Sequence, residues 1–136
     1  MSVSVVERSA ESIVRSFWED FWSRSDLATG QEIMVPSLYQ HAVEFLQHVH
    51  VAFPDARWTV EEMFTVGSTV VTHYTWSGTH LGAMGTLAPT GKKINMDCIM
   101  IHRVKDGKIL DDEQGILDLL SFYQQLGVVP TELPWV

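Results

Sequence analysis

Gly78-Thr79-His80-Leu81-Gly82-Ala83-Met84-Gly85-Thr86-Leu87-Ala88-Pro89-Thr90-Gly91-Lys92-Lys93-Ile94 joins two runs that both read as strands, 69–80 and 94–103. Four glycines and a proline in this space describe a chain that bends repeatedly and closes with a turn at Pro89-Thr90-Gly91. The connection is too short to hold a crossover helix, so the strands it joins are expected to be antiparallel neighbours. It is expected to form the rim of a cone-shaped cavity.

Working outward, run 69–80 is rich in Val, Thr, Tyr and Trp, as a half-buried strand should be. Before it, 58–66 alternates loosely, with Trp58, Val60 and Glu62 predicted on one face, and Gly67-Ser68 marks a tight turn. After 94–104, the Asp-Gly pair in Lys105-Asp106-Gly107-Lys108 suits a hairpin, and 109–117 is expected to return as the last strand. A short helix over 119–126 is stopped by Gly127 and followed by an extended tail with Pro130 and Pro134.

The first part of the chain has the other periodicity. Val6, Ala10, Ile13, Phe17 and Phe21 are spaced for a helix over 5–22, widened by Trp18 and Trp22, with Ser4 and Glu7 at capping-box spacing. Thr29 and Glu32 repeat that spacing for a short helix within 26–35. Pro36 is expected to end what precedes it, and Ser37-x-x-Gln40 to start a third helix. Leu38, Ala42, Phe45, Val49 and Ala52 line one face of that helix up to Phe53-Pro54-Asp55. Helices first and a four-stranded meander after give an α+β fold: one domain over 1–136, a curved antiparallel sheet with N-terminal helices packed across its concave face.

Composition limits the function. The 136 residues can bury a core without staples. A net charge of -8 disfavours nucleic acid or an anionic membrane as partner, because phosphates call for a basic face. Cys98 is the single cysteine, so no intramolecular disulfide forms, and a cytoplasmic location is the expectation. No apolar run reaches membrane-spanning length and no signal-peptide pattern opens the sequence.

Candidate chemistry is sparse. His41, His48 and His50 lie on one predicted helix, but no pair is spaced i, i+4, so they read as solvated or packed and no metal site is expected. Cys98 reads as a small buried strand residue. The acid run Asp111-Asp112-Glu113 alternates between two faces of a strand. It fits a solvated strand end, or a carboxylate inside the cone whose pKa burial would raise toward that of a general base or acid. Tyr74 and Trp76 alternate with His73 and Thr75; Met96, Cys98 and Met100 alternate with Asn95, Asp97, Ile99 and Ile101. An aromatic and methionine lining suits a flat apolar ligand as well as an ordinary core.

Several segments together resemble the SnoaL-like polyketide cyclases, the ester-cyclase branch of the nuclear-transport-factor-2-like superfamily. They are Phe17-Trp18-Glu19-Asp20-Phe21-Trp22 with Asp26-Leu27, Ala52-Phe53-Pro54-Asp55, Gly78-Thr79-His80-Leu81-Gly82 with Pro89-Thr90-Gly91-Lys92, Arg103 to Ile109, and Gln124-Gln125-Leu126-Gly127. Their order and spacing carry the resemblance over about 13–127. It implies a cone-shaped α+β barrel with a deep apolar pocket, a homodimer or higher homo-oligomer, and ring closure by aldol chemistry without metal or organic cofactor.

On that resemblance Asp112 is the candidate acid or base, and Gln114 or His73 would orient a substrate oxygen. Tyr74, Trp76, Cys98 and Met100 form the wall, with Trp22 added from the first helix. Cys98 and Met100 stand where the cyclases place Gln and His, and the last strand has an ambiguous register over 112–115. A non-catalytic binding or interaction module of the same fold is therefore the alternative, and a dehydratase or isomerase using His73 with Asp112 a third.

Overall fold

The computed structural model describes residues 8–110 and 114–131. Five strands form one antiparallel sheet: β1 (Arg57–Val66), β2 (Thr69–Thr79), β3 (Lys93–Lys105), β4 (Lys108–Ile109) and β5 (Gln114–Leu117). β1, β2 and β3 are consecutive neighbours, as the short connection requires. The expected last strand is divided: β4 pairs with the end of β3, Val104 opposite Ile109, and β5 pairs nearer its middle, Cys98 opposite Leu117.

Strict alternation makes β2 and β3 the backbone of the fold. Val70, Thr72, Tyr74 and Trp76 are buried, while the residues between them face the other way. Across the ladder Trp76 pairs with Met96, Tyr74 with Cys98, Thr72 with Met100 and Val70 with His102, so the inward residues form matched rows. β1 breaks the pattern. A bulge between Val60 and Glu62 shifts the register, so Glu62 pairs with His73 and Met63 with Thr72. The expected grouping of Glu62 with Trp58 and Val60 is thereby corrected, since one extra residue moves everything beyond it to the other face.

α1 (Ala10–Ser16) is capped by Ser9, whose hydroxyl accepts from the Ser12 amide at 3.1 Å. The Ser4–Glu7 pair lies outside the described residues. The helix continues as a π-helical turn, Phe17–Trp22, in which all four aromatic residues are buried. These rings and the inward residues of the sheet make the core: Trp18 lies 4.0 Å from Tyr74 and Phe17 lies 4.6 Å from His102, centroid to centroid.

Two helix starts differ from expectation. Asp26 caps α2 (Leu27–Ile33) by accepting from the Thr29 amide at 3.0 Å, so Thr29 is the capped residue rather than the cap. Pro36 opens α3 (Pro36–Ala52) instead of standing before it, because the first helical position has no use for an amide hydrogen. α4 (Leu119–Leu126) starts at the Asp118 cap and ends at Gly127, whose φ of 81° is the left-handed conformation glycine adopts without strain.

The rim stretch is tied down at both ends. The His80 amide donates to the Lys92 carbonyl and the Gly91 amide to the His80 carbonyl, which extends the β2–β3 ladder past the strand ends. The buried His80 ring accepts the Thr90 amide at Nδ1, 3.1 Å away. Leu81 and Gly82 both donate to the Ala52 carbonyl at 3.0 and 3.1 Å, docking the rim on the end of α3. A Cβ on Gly82 would collide with the Val51 carbonyl. Gly82→Ala is therefore expected to cost roughly 1–3 kcal/mol, the scale of overpacking, and to lower the midpoint of thermal unfolding by several degrees.

Candidate functional site

The sheet and helices leave a cavity of about 320 Å³ between α3, α4 and the inner face of the sheet. From α3 come Phe45, His48, Val49 and Ala52, followed by Phe53; from the strands come Trp58, Tyr74, Trp76, Met96, Cys98 and Leu117; Met84 of the rim and Leu119 and Phe122 of α4 complete the described lining. The α3 residues stand at i, i+3, i+4 and i+7, one helical stripe. At the mouth, Phe45 is 58% exposed, while at the inner end Tyr74 is closed off by the Trp18 ring.

Tyr74, Trp76 and Cys98 line this cavity. Met100 sits one row further in, half-buried, with its sulfur occupying the space a Gly115 side chain would need. Trp22 supports the wall from behind, 5.9 Å from Phe45 and 5.2 Å from Trp58. Trp76 stands edge-on to Phe53 at 4.8 Å and Phe122 at 5.8 Å, so helix and sheet walls hold each other by aromatic contact.

The polar candidates fall elsewhere. His73 belongs to the outward rows of β2: its Nε2 is 3.0 Å from Asp97 and its Nδ1 3.7 Å from Glu62. The hydrogen bond to Asp97 raises its pKa above the usual histidine value. Its expected part in orienting a substrate oxygen is corrected, since strand alternation sends it away from Tyr74 and the cavity. Asp112 lies outside the described residues. Gln114 opens β5 opposite Ile101, whereas Gly115 and Leu117 pair with Met100 and Cys98. The backbone register thus puts Gly115 and Leu117 in the inward rows.

Of the lining residues not expected from the sequence, one carries an imidazole. His48, read from the sequence as solvated or packed, lies within the cavity-facing stripe of α3. Its Nδ1 is 2.8 Å from the Glu44 carbonyl one turn back. The available signal was its spacing from Phe45 and Ala52, three and four residues away, rather than its spacing from the other histidines. No group of three or more His, Cys, Asp or Glu side chains that could hold a metal ion is present among the described residues.

The match to known proteins agrees with this geometry. The sequence profile of the SnoaL-like polyketide cyclases matches residues 12–126. The chain belongs to the SnoaL-like polyketide cyclase family. No curated protein matches the sequence. Among solved structures, IdmH of Streptomyces antibioticus, a candidate polyketide cyclase, superposes with a TM-score of 0.77 at 23% identity, covering 89% of this chain and all of that one. A candidate SnoaL-like cyclase of Jannaschia sp. CCS1 superposes with a TM-score of 0.78 at 18% identity, covering 96% and 99%. AclR of Streptomyces galilaeus, a candidate hydroxylase, gives 0.73 at 21% identity, covering 93% and 89%. These likenesses carry the fold, and a candidate hydroxylase among them illustrates that a SnoaL-like frame does not by itself fix a reaction.

Within this SnoaL-like cavity Cys98 is 2% exposed, and burial pushes its thiol up to about 11, partly offset by a hydrogen bond with Tyr74. It is a wall residue that keeps its proton. Native protein at pH 8 is accordingly expected to react with iodoacetamide at least tenfold more slowly than urea-unfolded protein, as followed by mass spectrometry. Equal rates would show an accessible, activated thiol.

Proposed function

We propose that the chain binds a small, largely apolar, aromatic or polyketide-like molecule in the cone and acts on it by cofactor-free acid–base chemistry of the aldol type. The observation that carries this reading is the lining: it is dominated by aromatic, methionine and aliphatic side chains, and among the described residues only His48, Tyr74, Cys98 and the indoles of Trp58 and Trp76 offer N–H, O–H or S–H groups. The cavity, about 320 Å³, lies at the small end of the range for small-molecule sites. Asp112, from the acid run, is the proposed proton-handling carboxylate. The dehydratase reading loses its support, since His73 is engaged with Asp97 on the other side of the sheet. A binding module without chemistry is favoured by Cys98, a buried protonated thiol where the cyclases are expected to carry a hydrogen-bonding side chain. No helix among the described residues is long and apolar enough to cross a membrane, and a cytoplasmic location is proposed from the single cysteine.

The bicyclic aromatic ketone 2-tetralone tests both levels. It should quench tryptophan fluorescence saturably, and Leu119→Glu, a charge on a half-exposed wall residue, should weaken binding about tenfold (~1.4 kcal/mol). In D2O the protein should accelerate deuterium exchange at the carbon alpha to the carbonyl, and Asp112→Asn should remove at least nine-tenths of that acceleration without changing binding. Binding without exchange would leave the module reading; normal exchange in the variant would remove Asp112 from the mechanism, with Asp111→Asn and Glu113→Gln as comparisons.

The assembly proposed is a homodimer through the outward face of the sheet. There Ile99 pairs with Ile116, which is 73% exposed, and Phe64, 59% exposed, stands beside Val71 and Ile101 in the next row. Sedimentation equilibrium should give twice the chain mass, and Phe64→Asp should shift it toward one chain mass. A monomeric wild type would overturn this.

A further inference from the structure

We propose that His48 is the base that takes a proton from carbon in this cavity, an assignment that rests on the acid–base reading above. Among the described lining residues it is the only imidazole or carboxylate. Position and tautomer are both set by α3 itself. Residues 45, 48, 49 and 52 form the stripe that faces the cavity, so His48 is flanked by Phe45, Val49 and Ala52, against which an apolar ligand would lie. The Glu44 carbonyl, 2.8 Å from Nδ1, can only accept, so Nδ1 carries the hydrogen. In the neutral ring the lone pair then resides on Nε2, the nitrogen not bound to the helix.

The step this arrangement supports balances without a co-reactant. Nε2 takes a proton from a carbon flanked by carbonyl groups; the C–H bond breaks, an N–H bond forms, and the electron pair passes to the carbonyl oxygen as an enolate. The enolate carbon attacks a second carbonyl, forming the C–C bond, and the resulting alkoxide takes the proton back from Nε2. The proton that the reading above assigns to Asp112 is then the one it donates, as the protonated acid, in a hydrogen bond to the enolate oxygen.

His48 stands at the exposed mouth of the cavity, where water reaches the ring. The neighbouring nucleophile cannot substitute. Cys98 is buried and its thiol is held up at about 11, so it offers no thiolate.

The test uses deuterium exchange of 2-tetralone by the full chain, followed by NMR and corrected for spontaneous exchange. His48→Gln is expected to lose at least tenfold of the acceleration while tetralone still quenches tryptophan fluorescence, and added imidazole is expected to restore part of it. His41→Gln, an exposed change on the same helix away from the cavity, should exchange at the wild-type rate. In ¹⁵N-histidine-labelled protein, His48 should show the Nδ1–H tautomer, with its Nε2 resonance moving as tetralone is added. Wild-type exchange in His48→Gln, or loss that imidazole does not rescue, overturns the assignment alone. Tetralone bound by the wild type without any exchange overturns the acid–base reading and this assignment with it.

Discussion

The contact between Trp18 and Tyr74 governs both halves of this molecule. The two rings, 4.0 Å apart, join the helical layer to the central strand and close the inner end of the cone. On one side of them Phe17, Phe21, Ile13 and His102 fill the interior completely; on the other the sheet continues and the helices diverge, leaving the cavity. Cavity depth is thus fixed where helical aromatic packing stops. The π-helical turn serves this arrangement, because widening the turn lets Phe17, Trp18, Phe21 and Trp22 all face inward from one short segment. Trp22 then reaches Trp58 and Phe45, so the same turn that seals the floor also backs the wall.

What could be read from sequence tracks how local the determining physics was. β2, β3 and α4 were legible because alternation, a turn glycine and a capped eight-residue helix are properties of neighbouring residues. The β1 bulge was not, since an extra residue leaves no mark in a loosely alternating strand whose partner is not yet known. The division of the last strand was hidden for the same reason: only pairing with β3 separates β4 from β5. For the site, the strand period grouped Tyr74 with Trp76 and Cys98 with Met96 but left open which face looks inward. His73 was nominated for a role while its face was still open, and the face a strand residue occupies is set by register.

The histidines of α3 show a different failure. Testing them against one another asks whether they could share a metal, and 41, 48 and 50 fail that question. Testing each against the apolar stripe asks which face it occupies. His48 then falls between Phe45 and Ala52, and the helix geometry alone brings it to the ligand side. A polar residue inside an apolar stripe is the informative deviation, because packing alone would more often put an apolar side chain at that position.

The glycine-rich rim connects these observations. Leu81 and Gly82 bind the Ala52 carbonyl, Gly78 packs on Phe53, and the His80 ring lies 5.3 Å from the Phe53 ring. All three contacts fall on the last turn of α3 and the residue that caps it. That turn begins one residue beyond His48, so the rim fixes the end of the helix that carries the cavity stripe. In the same span Met84 reaches into the cavity wall, while the Thr90 amide bonded to His80 Nδ1 keeps the loop closed on itself. A stretch whose glycines first indicate only a reversal of the chain therefore sets the distance between helix wall and sheet wall. Any chemistry His48 performs depends on that distance, since proton transfer requires donor and acceptor to meet within hydrogen-bond reach.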